Sequence, residues 1–168
     1  SSMNKPDLLA WLDHEISLWE TLLSDFGPAR LDFPNVNGQW SMKDVIAHLT
    51  GWNRKHVDRL NAALLGQPEP PPPWPAALQS EDEINAWIYS TNKDRSVEYV
   101  LETCRDSLRQ LRSFVMVVPE DAQINDFYRQ LRIGNQSFPV GEFFDHFHDD
   151  HEPGIRAWLA RQPARPEP

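Results

Sequence analysis

The sequence predicts an all-α protein, an up-down four-helix bundle, on three observations. Four long segments carry apolar residues at the helical spacing of about 3.6 that places them on one face. Capping residues stand at the starts of these segments, and glycine or proline stands at their ends. No stretch shows the sustained alternation of a half-buried strand, and no internal repeat is present.

In the first segment, residues 6–26, Leu8, Leu12, Trp19, Leu22, Leu23 and Phe26 recur at about 100° per residue. Asn4 with Pro6 provides a start, and Gly27-Pro28 a stop. A turn-rich connection through Pro34, Asn35, Asn37 and Gly38 leads to Ser41, which forms an acidic capping-box pattern with Asp44. The second helix follows with Val45, Leu49, Trp52, Leu60 and Ala63 inward, and Gly66 and Pro68 close it. Residues 69–75, Glu-Pro-Pro-Pro-Pro-Trp-Pro, admit only an extended crossing, because proline lacks the N–H that helix and central strand require. This long Pro-rich crossing separates helices two and three.

Ser80 with Glu83 opens the third helix, which carries Ile84, Trp87, Ile88 and Thr91. The polar stretch 91–96 is a point of interruption, with Ser96 a second N-cap, before Val97, Val100, Cys104, Leu108, Leu111 and Val115 continue the pattern to Val118-Pro119. Residues 120–138 show no sustained period and read as loop, with 127–133 open to a short hairpin or a helical turn near Gly134-Asn135. The last helix spans about residues 139–161, with Val140, Phe143, Phe144, Phe147, Ile155, Trp158 and Leu159 inward and a kink expected at Pro153. A single domain over residues 1–168 is expected, with 1–3 as a leftover start, Ser1 and Ser2 preceding Met3, and 163–168 as a disordered tail.

The chain is 40% hydrophobic and 24% charged, a globular composition. No apolar run approaches the ~20 residues of a membrane span, and no signal-peptide pattern opens the sequence. The lone Cys104 cannot form an internal disulfide, so a cytoplasmic location is expected. With 16 basic against 25 acidic residues, the net charge of −9 repels a phosphate backbone. Arg105, Arg109 and Arg112 share a helix face, but Glu102 and Asp106 are interleaved with them. The expected partner is therefore a small molecule, with nucleic acid and membrane excluded.

The residues that carry chemistry are histidines. His48 falls between Val45, Leu49 and Trp52 and points at the core. On an ideal wheel His148 and His151 project only ~60° apart, near Phe144 and Ile155, while His146 projects to the solvent side. Three imidazoles from facing helices make the three-nitrogen set of a catalytic zinc site, whose fourth position stays open for water. A metal-free histidine hydrogen-bond network, or a helix surface rich in His and Asp, accounts for the same residues. Asp149 and Asp150 are placed to accept a second ring N–H.

Glu15 lies in the middle of the first helix's apolar stripe, where an unpaired charge is costly. It is a general base acting on a bound water, a hydrogen-bond acceptor, half of a structural pair with Arg95, or a residue near a helix end that reaches water. His56 is two turns from His48, ~12 Å along the axis, too far for the same ion, and reads as a core or rim residue. Cys104 reads as a small buried residue rather than a nucleophile.

The run Gly38-Gln-Trp-Ser-Met-Lys-Asp-Val-Ile-Ala-His-Leu-Thr-Gly-Trp52 resembles the second-helix signature of the DinB-like superfamily. Asn85-Ala-Trp-Ile-Tyr89, Asp94-Arg-Ser96 and His151-Glu-Pro-Gly-Ile-Arg-Ala-Trp-Leu159 are similar to its ClbS/DfsB branch. The resemblance implies a four-helix bundle with an interhelical pocket, a divalent transition metal such as Zn, Ni, Fe or Mn held by one histidine of the second helix and two of the fourth, and often a homodimer. His48 and His151 match the first and last ligand positions. The superfamily places the middle histidine four residues before the last, where this chain has Phe147, so His148, or else His146, must substitute. The function so implied is that of a metal-dependent hydrolase or thiol transferase acting on a small electrophile; the alternative is a binding or sequestering protein without metal or turnover.

Overall fold

The structure, a computed structural model, describes residues 2–164. Ser1 and residues 165–168 of the expected tail lie outside the described residues. In chain order the elements are β1 (Ser2–Met3), α1 (Lys5–Phe26), α2 (Met42–Leu64), α3 (Glu81–Asn92), α4 (Val97–Val117), β2 (Gln123–Asn125), β3 (Gln130–Ile133), β4 (Gln136–Pro139), α5 (Glu142–His146) and α6 (Glu152–Ala160). A π turn, Phe147–His151, joins the last two.

The helices begin where side chains satisfy their orphan N–H groups. Asn4 accepts from the Asp7 amide, Ser41 from Asp44 and Ser80 from Glu83, each with the reciprocal carboxylate bond of a capping box. Ser96 accepts from Tyr99 and starts α4 afresh, so the interruption expected at 91–96 is a true helix break. Lys43 consolidates the corner: its buried ammonium donates to the carbonyls of Lys93 (2.9 Å) and Arg95 (2.7 Å). Between α2 and α3 the Pro-rich crossing carries neither helix nor strand, and Trp74 anchors it edge-on to Trp52, 4.9 Å between ring centroids.

The expected helical class stands, with one addition. Residues 120–138, expected as loop, contribute three strands of a small antiparallel sheet in the order β1-β2-β3-β4. Ile124 faces Leu131, and Leu131 faces Phe138, forming one buried apolar row across the sheet. Each of these strands sends one large side chain into the core, too few for alternation to register along the sequence. The hairpin between β3 and β4 turns on Gly134-Asn135, with Gly134 at φ 59°.

The core lies between α1, α2, α4 and the last helical stretch. Trp19 of α1 is met edge-on by Phe143 and Phe147 at 5.1 Å and by Phe144 at 6.4 Å, and Phe26 stacks on Trp158 at 5.6 Å. These aromatic contacts fix α1 against α5, the π turn and α6. Among the described residues no helix is long and apolar enough to cross a membrane.

Candidate metal centre and its cleft

Three imidazoles converge between α2 and the end of α5: His48, His146 and His151, each offering a nitrogen within 4.8 Å of the others. The Nε2 atoms of His48 and His146 lie 3.4 Å apart, and those of His146 and His151 3.2 Å apart. Zinc at about 2.1 Å from each of several tetrahedral nitrogens spaces them by about 3.4 Å, so the set fits a tetrahedral ion.

The outer nitrogens decide which atoms point inward. His151 Nδ1–H donates to Asn37 Oδ1 at 2.6 Å, and His146 Nδ1–H donates to Asp150 Oδ2 at 2.7 Å. In the neutral rings, both facing Nε2 atoms therefore carry lone pairs and cannot hydrogen-bond to each other. A metal-free centre holds at most the bond from His48 to His146; a cation would engage all three inward nitrogens, with the buried His48 Nδ1 left without a hydrogen-bond partner among the described residues. Burial lowers the His48 pKa to about 3, with repulsion from His151 and His146 adding to it. Burial and His146 likewise lower His151 to about 4. Both rings are thus neutral at pH 7, the state in which imidazole ligates metal.

A tight turn delivers the supporting side chains. Asn37 and Trp40 exchange backbone hydrogen bonds, with Gly38 at φ 62° between them. The turn aims Asn37 at His151 and lays the Trp40 ring over His48 (5.0 Å) and His151 (6.3 Å).

The structure departs from the wheel at one residue. His148, expected in the centre, is turned away from it, and His146, expected toward solvent, takes its place. The cause is the π turn. Pro153 has no N–H, and in an unbroken α-helix its ring would strike the Asp149 carbonyl. The chain inserts one extra residue instead, and the Glu152 N–H reaches back five residues to Phe147 O. In a regular helix residues 146 and 151 point about 140° apart; the wider turn brings them to one face. Pro153 thus re-phases the helix where a kink was expected.

Pro153→Ala restores the N–H and removes the steric conflict. Its expected result is an undiminished melting temperature together with metal affinity about 10- to 100-fold weaker, the usual effect of disturbing ligand orientation. Chelator competition alongside thermal denaturation checks this, and wild-type affinity would refute the π turn's role.

Glu15, which needed a partner, has His148 rather than Arg95. Glu15 Oε2 lies 2.6 Å from His148 Nε2, and Glu152 Oε1 lies 2.7 Å from His148 Nδ1. Burial opposes protonation of this ring, but the two carboxylates outweigh it and raise the His148 pKa. Arg95 instead donates to Tyr99 Oη and Asn92 Oδ1. Glu15 faces a small recess with Trp19, Phe147 and Arg156, apart from the cleft onto which the histidines open.

That cleft has a volume of about 360 Å³ and is lined by His48, His146, Trp52, His56, Tyr128 and Glu142, among others. His56, read from sequence as core or rim, is a cleft residue whose Nε2–H donates to Glu142. Burial pushes the Glu142 carboxyl up, but the His56 hydrogen bond and charge prevail and hold it low. Glu142 was missed in the sequence; its signal is the four-residue spacing to His146 on the same helical stretch. Tyr128 reaches the cleft from a left-handed backbone at φ 53°, followed by Arg129 at φ 47°. The Gly141 amide donates to Tyr128 O at 2.8 Å, and Arg129 pairs with Asp145 at 2.9 Å. A Cβ at residue 141 would lie 2.8 Å from that same carbonyl, so glycine is what lets the loop close. Cys104 is buried, and burial pushes its thiol up to about 12, which removes it as a nucleophile.

Residues 11–148 match the sequence model of the DinB superfamily, a span that includes His48 and His146 and ends just before His151. Among solved structures, an uncharacterised protein from Escherichia coli UTI89 is similar with a TM-score of 0.63 and 17% identity, over 94% of this chain and 91% of that one. The colibactin self-resistance protein ClbS, in complex with a dsDNA, is similar with a TM-score of 0.62 and 15% identity, over 94% of each chain. At such identities these likenesses show the fold. No curated protein matches the chain. The ClbS complex overturns the expected exclusion of nucleic acid, since a protein of this fold is seen with DNA. The physical reason is that net charge sums over a whole surface, whereas phosphate contacts are made locally.

Proposed function

Because this chain belongs to the DinB superfamily, we propose that His48, His146 and His151 hold a divalent transition metal, Zn, Ni, Fe or Mn, and that the adjoining cleft acts on a small electrophilic molecule. The observation that carries this reading is the convergence of three ring nitrogens, with the Nε2 atoms of His146 and His151 3.2 Å apart and His48 Nε2 3.4 Å from His146. Bound there, such a metal supplies Lewis acidity and lowers the pKa of a coordinated water or thiol. The chain's own residues do the rest. Asn37 and Asp150 keep the ring protons on the outer nitrogens, and Trp40 covers the ligands on one side. Glu142, kept ionised by His56, is the proton acceptor facing the cleft, and the Tyr128 hydroxyl is a donor on its wall.

Hydrolysis and thiol transfer are the two reactions this arrangement suits. Metal analysis of protein purified without chelator tests the premise, with about one equivalent expected. No stoichiometric metal, and no uptake on titration with Zn, Ni, Fe or Mn, would leave a binding or sequestering cleft as the reading. An electrophile panel with and without added thiol then separates transfer from hydrolysis. Self-resistance, the role in the ClbS name, directs that panel toward protective chemistry. Nucleic acid enters as a partner class through the same neighbour, and a duplex titration at low and high salt tests it.

A further inference from the structure

We infer that Glu15, His148 and Glu152 form a clamp that sets the helical phase of the histidine centre, acting as positioning residues rather than as ligands or catalytic groups. The inference rests on the three-histidine reading above. His148 is the second residue of the π turn and is held at both ring nitrogens, by Glu15 at 2.6 Å and by Glu152 at 2.7 Å. Glu15 comes from the buried face of α1 and is only 9% exposed; Glu152 begins α6 and is itself gripped by Arg156 at 3.3 Å. One imidazole therefore ties the π turn to the facing helix and to the helix that follows.

Adhesion does not require this arrangement. Trp19 already packs against Phe143, Phe144 and Phe147 on the same side, and an apolar replacement of a buried charged pair is often neutral or stabilising. What directional bonds add is registry. Close packing tolerates rotation of one apolar ring past another, whereas His148 satisfies both carboxylates in one orientation only. The π turn and a regular α-helix differ by one residue of phase. Slippage to the regular form would swing His148 out of reach of Glu15 and carry His146 off the face it shares with His151. The clamp and the centre are therefore opposite faces of one rotational setting, with His148 on the outside and His146 and His151 on the inside.

Co(II) titration of the full chain, read by its visible ligand-field bands and by chelator competition, tests this. Glu15→Ala is expected to weaken Co(II) binding about 10- to 100-fold and change the bands while far-UV circular dichroism stays constant. Glu15→Gln, whose amide oxygen still accepts from His148 Nε2–H, is expected to recover most of the loss. Should Glu15→Ala fail to fold, Glu152→Ala at the more exposed end of the clamp carries the same expectation. In metal-free protein, imidazole 15N spectra should show the His151 Nδ1–H signal shifted in either alanine variant. Wild-type affinity and bands, or an unmoved His151 signal, would overturn the clamp; a wild-type chain that takes up no Co(II) would instead overturn the metal reading.

Discussion

Replacing His146 with alanine is expected to weaken divalent-metal binding on the order of a thousandfold, about 4 kcal/mol. A tetrahedral structural zinc site is worth about 10–16 kcal/mol in all, so one of its ligands carries roughly that share. Folding should be little affected, because the His146 side chain is 33% exposed and touches the cleft rather than the aromatic core. The experiment is decisive for the geometry, since an ideal helical wheel assigns this residue to solvent and gives its role to His148. Competition against a chromophoric chelator, run with thermal melts, provides both readouts. Unchanged affinity in His146→Ala, with the large loss found in His148→Ala, would return the centre to the unbroken helix.

Trp19→Ala should produce the largest loss of stability, about 3–5 kcal/mol, the range for emptying a large aromatic site in a core. The side chain is 2% exposed and three phenylalanine rings meet it edge-on. For a chain of this length such a loss lowers the melting temperature by roughly 6–20 °C. The effect should extend beyond stability. Phe147 opens the π turn, so emptying the Trp19 site removes part of the apolar wall on which that turn packs. Urea titration gives the free energy, and a loss below about 1 kcal/mol would show that the site collapses and refills.

The two experiments also separate what was legible in the sequence from what was not. Helix starts were legible because capping is local: Asn4, Ser41, Ser80 and Ser96 each act on an amide three residues away. His48 was legible as inward because α2 is a regular helix there, so periodicity and direction agree. The need of Glu15 for a partner followed from its place among Leu12 and Trp19, but that partner is 133 residues away and was not legible. The sheet was hidden because its strands are short and one of them, β2, pairs with Met3 at the far end of the chain. Glu142 and Tyr128 join the cleft only through a loop held by Gly141 and Asp145.

By itself, then, the sequence determined the helical class, the caps, the Pro-rich crossing and a histidine-rich meeting of α2 with the last helical stretch, all consequences of spacings of a few residues. Tertiary structure decided which histidine completes the set. Pro153 announces an irregularity but does not say how it resolves, since a kink and a π turn both remove the conflict with Asp149. The His148 bonds to Glu15 and Glu152, the packing of Phe147 on Trp19 and the Asn37 bond to His151 all accompany the π turn. Of these only the Glu152 bond is local, and the shift of one residue in helical phase places His146 beside His151.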